Sequence, residues 1–409
     1  MSIIVGLILL VYIGFLIFGK IDDLLRPSVV FSLLILSSFF LSTLRFSLLQ
    51  AEYPVWFAAF ILSLIFTFYL GDKLADTIKW PKLKNSGNYS NITMNLLIFA
   101  LWFLIVFAFI KMILVLGAPP AISKGNRAEY FVSGWGTIVI LQSSFFGLLL
   151  YDKFNKNSTG LLFWIYCSSI VLIALLLSNK FQIIYMLVLY LIAYNTYRQK
   201  IKIKTLITVA LIIVLMFILL FEFVYEDMYG VSLNTLYNAY RMNIPGGFKF
   251  LTQPYLYVSF NYENLYNFII SDTHKLLGLK TFGSFLEIFR MKGIYSLQTI
   301  LYLDEWRNLL PIPSMTTGTM FQDFVQDGGV PFAYIMTFIC GFWSKASYDS
   351  FKINKSFGSF FMYAATTVAI FMSFFANVFT LKVTVLNLIV ATIIGFILKI
   401  NLVNKRGRL

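Results

Sequence analysis

Four side chains have the chemistry to take a proton from a hydroxyl group. His274 is the only histidine of the chain, and an imidazole exchanges protons near neutral pH. Asp323 follows the run Thr-Thr-Gly-Thr-Met-Phe-Gln, and Asp327, just before two glycines, competes with it. Glu222 ends a long apolar run and could pair with a cation or act as a base. A lone surface histidine is usually only polar, so the aspartates stay open as alternatives.

Five cations could hold an anionic group, and they are Arg127, Lys180, Arg241, Arg307 and Lys111. A guanidinium binds two phosphate oxygens and stays charged when partly dehydrated. Lys111 lies inside an apolar run, where an ionisable side chain is a functional candidate. The alternative for each is that it anchors its segment at a membrane surface, with the apolar stem buried and the charge in water.

The usual signatures of several enzyme classes are missing from the sequence. It contains no Walker loop, no G-x-S-x-G, no H-E-x-x-H and no cysteine cluster, so nucleotide hydrolysis, serine-hydrolase chemistry and zinc catalysis are not indicated. Cys167 and Cys340 both lie in apolar runs and are typical of small buried hydrophobic residues. We therefore predict neither a metal site nor a cofactor.

The composition is that of an integral membrane protein. Hydrophobic residues make up 59% of the chain and charged residues 12%, whereas charged residues form about a quarter of a soluble domain. The mean hydropathy is +0.81. Apolar runs long enough to cross a bilayer as helices recur along the chain, in contrast to the alternating pattern of a membrane barrel. The sequence predicts an all-α, polytopic membrane helix bundle.

Eleven segments are candidate transmembrane helices: 2–19, 28–44, 54–70, 92–116, 134–151, 161–178, 181–197, 205–223, 330–344, 357–378 and 383–399. They divide the chain into an N-terminal bundle (1–223), a large loop (224–329), and C-terminal spans with a basic tail (330–409). No pair of interrupted segments stands out in matching halves, which argues against a secondary transporter.

The basic residues predict the orientation. Nineteen of the 32 Lys and Arg fall on one set of alternate connections, and only five on the short connections of the other set. The positive-inside rule assigns the first set and the C-terminus to the cytoplasm. The loop 224–329 is therefore predicted to be extracytoplasmic. The charge of +14 reflects this topology, so we expect no nucleic-acid partner.

The large loop has the pattern of folded structure. Apolar residues recur at helical spacing in two stretches, namely Leu233, Leu236, Tyr237 and Tyr240, and Tyr262, Leu265, Tyr266 and Ile269. This predicts at least two amphipathic helices near the membrane surface. The loop is rich in tyrosine, whose flat ring and polar edge suit sugars as well as membrane interfaces.

Three short motifs in this layout resemble those of the bacterial Wzy-type oligosaccharide repeat unit polymerases, the O-antigen and capsular polysaccharide polymerases. They are Asn126-Arg127-Ala-Glu-Tyr, the turn Ser178-Asn-Lys180, and Thr316-Thr-Gly-Thr followed by Asp323-Phe and Gly328-Gly. The resemblance covers nearly the whole chain in layout. It differs in one respect, because a lysine occupies the tight turn where related enzymes often carry arginine.

The resemblance implies glycosyl transfer on the outer face of the bacterial cytoplasmic membrane. A growing glycan on undecaprenyl diphosphate would pass to a fresh lipid-linked repeat unit, with Arg127, Arg241, Lys180 and Arg307 at the diphosphate. The expected partners are these lipid-linked oligosaccharides, membrane lipids, a chain-length regulator protein and a flippase. Two alternatives remain: a ligase that moves the glycan to a final acceptor, and a flippase for lipid-linked oligosaccharides.

Overall fold

Helices form the regular structure of the described chain, apart from an isolated antiparallel bridge between Ser47 and Met242. The computed structural model describes residues 1–19, 23–79, 81, 89–123, 129–156, 160–220, 232–271, 273–289, 291, 305–312 and 315–406. The helices are α1 Ser2–Phe18, α2 Pro27–Thr43, α3 Val55–Ala75, α4 Asn91–Leu116, α5 Pro120–Ser123, α6 Trp135–Val139, α7 Gln142–Lys156, α8 Leu161–Leu176, α9 Lys180–Tyr197, α10 Ile203–Leu220, α11 Leu233–Ala239, α12 Thr252–Ile270, α13 Leu279–Ile288, α14 Met320–Asn354, α15 Phe357–Phe371 and α16 Lys382–Arg406.

A helix occupies the position of every predicted membrane segment. Among the described residues, four helical segments are long and apolar enough to cross a membrane: Val55–Ala75, Asn91–Ser123, Trp135–Lys156 and Lys382–Lys399. Several others, such as Ser2–Phe18 and Leu161–Leu176, are apolar but shorter. The prediction of an all-helical chain compatible with a membrane is confirmed for the described residues, while the count of eleven spans stays a prediction.

The contacts divide the chain into two compact units that cut across the three predicted segments. The first unit comprises Met1–Ile78, Lys202–Ala346 and Ala369–Lys382. The second comprises Lys79–Ile201, Ser347–Val368 and Val383–Leu409. Most of the predicted large loop therefore folds with α1, α2 and α3.

Two glycines allow α3 and α14 to touch through their backbones in the first unit. A Cβ atom on Gly71 would overlap the carbonyl oxygen of Phe338, and one on Gly341 would overlap that of Phe68. Small residues permit such close approach between helices in membranes, where packing rather than the hydrophobic effect drives association. This crossing fixes the long part of α14 against α3.

Ion pairs lie beside this crossing. The Arg26 guanidinium is 2.6 Å from a carboxylate oxygen of buried Asp72, and the ammonium of buried Lys345 is 2.6 Å from Asp76. Arg26 precedes α2, the aspartates lie at the end of α3, and Lys345 lies in α14. The structure thus joins three connections that the basic-residue pattern predicts on one side.

Both helices predicted in the large loop are present, but the second is not a surface helix. The first, α11, has no buried residue. In contrast, buried residues occupy more than half of the 19 positions of α12, which packs on α2. The Tyr262 hydroxyl is 2.7 Å from that of Ser38, and Glu263 accepts a hydrogen bond from the Ala51 N–H at 3.0 Å. Its polar side chains therefore meet partners inside the protein.

Two helices are interrupted, which the hydropathy pattern did not reveal. In the second unit, α6 ends at Val139 and α7 begins at Gln142. The carbonyl of Ile140 between them accepts hydrogen bonds from the side-chain amides of Gln182 at 3.1 Å and Asn387 at 3.2 Å. In the first unit, α14 breaks at Gly328–Gly329, where Gly329 has a φ of 73°. This left-handed backbone favours glycine.

We expect Gly71→Ala and Gly341→Ala each to destabilise the protein by about 1–3 kcal/mol, because the added methyl group meets backbone that cannot move aside. The matched control is Gly14→Ala in α1, where a Cβ has no neighbour within 4 Å. Unfolding is followed in a Cys167→Ser background through the reaction of buried Cys340 with a maleimide dye on heating. Equal unfolding temperatures for all three variants would contradict the tight crossing.

Candidate functional site

The candidate site is built around the segment 273–281 of the first unit. Its backbone pairs with the end of the short helical stretch that precedes the break in α14. The N–H of Leu276 donates to the carbonyl of Gln326, and that of Leu277 to the carbonyl of Asp327, both at 2.9 Å. These bonds hold the segment 273–281 against the residues just before the span predicted at 330–344.

Asp327 caps the N-terminus of α13 from a distant part of the sequence. Its two carboxylate oxygens accept hydrogen bonds from the backbone N–H groups of Lys280 at 2.9 Å and Thr281 at 2.7 Å. These N–H groups lack partners within the helix, and the helix dipole favours a negative charge there. Gly278, with a φ of 93°, lets the chain turn immediately before the helix. Asp327 is thus engaged in a structural role.

Asp323 lies one turn before Asp327, on the same helix face, and is half-buried. It precedes the span predicted at 330–344. Desolvation by burial raises the pKa of Asp323 to about 6, against the opposing effect of the positive charge of Lys280. Repulsion from Asp327 adds to the rise, and the polar side chain of Asn377 reduces it. A carboxyl group of this kind can exchange protons near neutral pH.

Neutral polar groups surround the short helical stretch that carries Asp323. Its first N–H, from Met320, donates to the Ser373 carbonyl at 2.8 Å, and the Asn264 amide donates to the Thr317 carbonyl at 2.6 Å. Five nearby side-chain oxygens are buried without a hydrogen-bond partner among the described protein groups: those of Asn264, Thr319, Gln322, Gln326 and Ser373. Leaving such a group unsatisfied costs about 1–3 kcal/mol, so water or a hydroxyl-rich ligand would stabilise this region.

His274 and Arg307 lie at the same end of the first unit. The His274 ring nitrogen Nδ1 is 3.0 Å from a carboxylate oxygen of Glu305, and both side chains are solvent-accessible. The indole of buried Trp306 donates to the His274 carbonyl at 3.2 Å. The Lys275 ammonium is 5.3 Å from the Trp306 ring centroid, and exposed Arg307 is the next residue along the chain. Glu305 and Lys275 were not predicted as site residues, because no sequence motif indicates them.

Arg241 lies near the other end of α12. Its carbonyl accepts a hydrogen bond from the Leu48 N–H at 3.0 Å, and its own φ is 45°. The same 46–48 turn is bonded to α12 through the Phe46 N–H and the Tyr255 hydroxyl at 2.9 Å. From Tyr255 to the end of α12 is about 22 Å at the helical rise of about 1.5 Å per residue. The structure therefore does not bring Arg241 together with His274.

The remaining predicted cations belong to the second unit or lie outside the described residues. Lys180 is the first residue of α9, and the tight turn predicted there is confirmed, because α8 ends at Leu176. Lys111 lies within α4, with its ammonium 5.5 Å from the Phe107 ring centroid. Arg127 and Glu222 lie outside the described residues.

Comparisons of the chain with protein-family models, curated proteins and solved structures find no match. Within the described ranges, no three His, Cys, Asp or Glu side chains form a group that could hold a metal ion. We therefore infer the function from the chemistry of the site residues.

We expect Asp327→Ala to loosen α13, because two backbone N–H groups lose their acceptor. Loss of such a cap costs about 1 kcal/mol, so amide hydrogen exchange over 279–288 should be about fivefold faster. The control is Glu52→Ala, which removes an exposed carboxylate elsewhere in the first unit. Unchanged exchange in the Asp327 variant would show that the cap does not hold the helix.

Proposed function

We propose that the protein is a membrane glycosyltransferase that polymerises undecaprenyl-diphosphate-linked oligosaccharide repeat units on the outer face of the cytoplasmic membrane. The observation that carries this proposal is the environment of Asp323. A half-buried carboxyl group with a pKa of about 6 lies beside Lys280 and several buried amide and hydroxyl groups. The sequence resemblance supports this class of enzyme, and the apolar helices are compatible with a membrane protein.

In this proposal, Asp323 accepts the proton of the acceptor sugar hydroxyl. The hydroxyl oxygen forms a bond to C1 of the donor glycan while the bond between C1 and the diphosphate oxygen breaks. The bonding electrons leave with undecaprenyl diphosphate, which gains negative charge. Positioning of the two sugars and charge stabilisation of the leaving group are the main contributions such a reaction needs.

Cations would stabilise the departing diphosphate. Arg307, Lys275 and Lys280 are candidates because they belong to the segments that contact or flank the Asp323 stretch. For Arg127, Lys180, Arg241 and Lys111, the diphosphate-binding role stays a prediction from the sequence. His274 and Glu222 are proposed as further proton-transfer groups, with His274 oriented by Glu305.

The neutral groups around Asp323 suit a carbohydrate. Amides and hydroxyls both donate and accept hydrogen bonds, as sugar hydroxyls do. Asn264, Thr319, Gln322, Gln326 and Ser373 offer buried oxygens for this purpose. An aliphatic lipid tail would leave these groups unsatisfied, so the polar end of the substrate is the better occupant.

A flippase for lipid-linked oligosaccharides is the second candidate, and the interruption between α6 and α7, inside the span predicted at 134–151, favours it. Irregular backbone at membrane depth is typical of cavities and transport paths. Reconstitution of the purified full chain with lipid-linked repeat units separates the two. Chain elongation without another protein supports the polymerase, whereas movement of the substrate across the bilayer without elongation supports the flippase.

A ligase uses the same donor chemistry with a different acceptor. Cells that lack the protein distinguish it from a polymerase. Loss of a polymerase leaves single repeat units on the final carrier, whereas loss of a ligase leaves long chains on undecaprenyl diphosphate. The second result would overturn the proposed polymerisation.

We expect Asp323→Asn to lower the rate of chain extension by about 10²–10⁴-fold, because the amide cannot accept the hydroxyl proton. Asp327→Asn keeps an oxygen at the helix cap and should retain much more activity. Glu52→Gln serves as a control for loss of a carboxylate. Extension is measured with purified variants and lipid-linked repeat units at equal protein levels. Equal activity in the two aspartate variants would exclude Asp323 as the base.

The pH dependence of the rate of chain extension should reflect the ionisation of Asp323. The base must be ionised, so the rate should fall as the pH decreases through about 6. Lys280→Gln removes a positive charge that lowers the pKa of Asp323, so the acid limb should move to higher pH. Rates are measured over about two pH units on either side of the pKa of Asp323, from about pH 4 to about pH 8. An acid limb at the same pH in both proteins would contradict this assignment.

A further inference from the structure

Helix α13 of the first unit is strongly amphipathic, although the two amphipathic stretches predicted in the loop do not include it. On a helical wheel, Phe282, Phe285 and Phe289 fall on one face, because residues three, four and seven positions apart are close in angle. Lys280 and Glu287, also seven positions apart, fall on the opposite face. The helix therefore has an aromatic face and a polar face.

The polar face is the one attached to the rest of the first unit. The Glu287 carboxylate lies 2.6 Å from the Lys382 ammonium. The backbone N–H of Lys280 donates to Asp327 at 2.9 Å, and the positive charge of the Lys280 side chain lowers the pKa of Asp323. Both charged residues of the helix are thus turned toward other segments of the protein.

The described chain leaves the aromatic face of α13 exposed. Phe282 is 49% exposed, Phe285 41% and Phe289 64%. In a protein surrounded by water, a surface helix has the reverse arrangement, with its apolar face on the core and its charged face in solvent. A contiguous exposed apolar face of this kind indicates contact with another apolar surface.

Lys382 indicates the level at which α13 lies. It is the first residue of Lys382–Lys399, one of the described segments that are long and apolar enough to cross a membrane. A lysine at such an end keeps its ammonium in the headgroup region while its stem lies along the apolar run. Glu287 pairs with this ammonium, and α13 also packs on the short 3₁₀ helix Val378–Thr380 just before it. We therefore place α13 at the boundary between headgroups and acyl chains.

The length of α13 fits a helix that lies in the plane of the membrane. Its ten residues extend about 15 Å, which is about half of the hydrocarbon thickness of about 30 Å, so it is too short to cross. Amphipathic helices that bind membranes lie in the interface, with their aromatic and aliphatic residues about 5–10 Å into the boundary of headgroups and acyl chains. The aromatic face of α13 has the composition for this position.

We propose that α13 is an in-plane membrane helix whose aromatic face, formed by Phe282, Phe285 and Phe289, inserts into the lipid bilayer. The partner is the lipid of the leaflet on the side of the loop 224–329, which the basic residues predict to be extracytoplasmic. Insertion removes the three rings from water, while the pair of Glu287 with Lys382 holds the helix at headgroup level. This surface does not depend on the proposed glycosyl transfer, because none of the three phenylalanines is a candidate site residue.

The test measures the surroundings of single spin labels on the full chain in vesicles of phosphatidylethanolamine and phosphatidylglycerol. Each of the three phenylalanines is replaced in turn by a labelled cysteine in a Cys167→Ser background. Cys340 is buried, and the Cys167→Ser protein without an added cysteine should take up no label. Electron paramagnetic resonance then compares collisions of the label with oxygen, which concentrates among acyl chains, and with a water-soluble nickel chelate.

Two further positions serve as references. Phe103→Cys places a label on an exposed position of α4, inside a segment that is long and apolar enough to cross a membrane. Glu52→Cys replaces a carboxylate that is 85% exposed and provides the reference for water. Thermal unfolding of each variant checks that the protein is folded, and the three positions of the aromatic face report independently.

We expect labels at the three phenylalanine positions to collide mainly with oxygen, as at Phe103, and to lie about 5–10 Å below the lipid phosphates. The label at Glu52 should collide mainly with the nickel chelate. The same preference for the chelate on the aromatic face overturns the proposal, because the face would then be in water. Protection from both reagents also overturns it, because a second copy of the chain or another protein would then cover the face.

Discussion

The contact between the backbones of α3 and α14 is the constraint on which the first unit depends. Gly71 and Gly341 let the two helices approach until backbone meets backbone, and ion pairs of Arg26 and Lys345 with Asp72 and Asp76 lie alongside. In a bilayer, apolar side chains gain little by leaving lipid for protein, so close packing and buried polar contacts decide how helices associate. The same helix also contains Asp323, on the other side of its break at Gly328–Gly329.

Polar contacts, rather than a purely apolar core, organise the part of the first unit around α12. Helix α12 buries Glu263, Asn264 and Tyr262, and each of them bonds to a segment far away in the sequence. Near Asp323, the described protein groups leave several buried side-chain oxygens without a hydrogen-bond partner. A region that accepts this loss of stability is typical of a ligand site, where the free energy is recovered when a polar ligand is bound.

Much of the architecture could be predicted from the sequence, since long apolar runs form helices and Ser178–Lys180 forms the expected tight turn. The burial of α12 could not be predicted, because its helical period is the same whether its polar face meets water or Ser38, Ala51 and Thr317. The close crossing at Gly71 and Gly341 leaves no trace in hydropathy. At the candidate site, the Thr-Gly-Thr run and its position indicated Asp323, but the contacts of His274 with Glu305 and of Asp327 with α13 join segments about thirty to fifty residues apart.

The break at Gly328–Gly329 separates two parts of α14 that have different attachments. After the break, the helix is fixed to α3; before it, the chain is bonded through Gln326 and Asp327 to the segment that starts α13. A rotation about the two glycines would change the direction of Asp323 while the crossing stayed in place. Asp323 and Asp327 therefore lie in the same helix as the crossing, but their positions depend on the segment that starts α13. Adaptation to substrates of different shape need not disturb the packing that holds the first unit together.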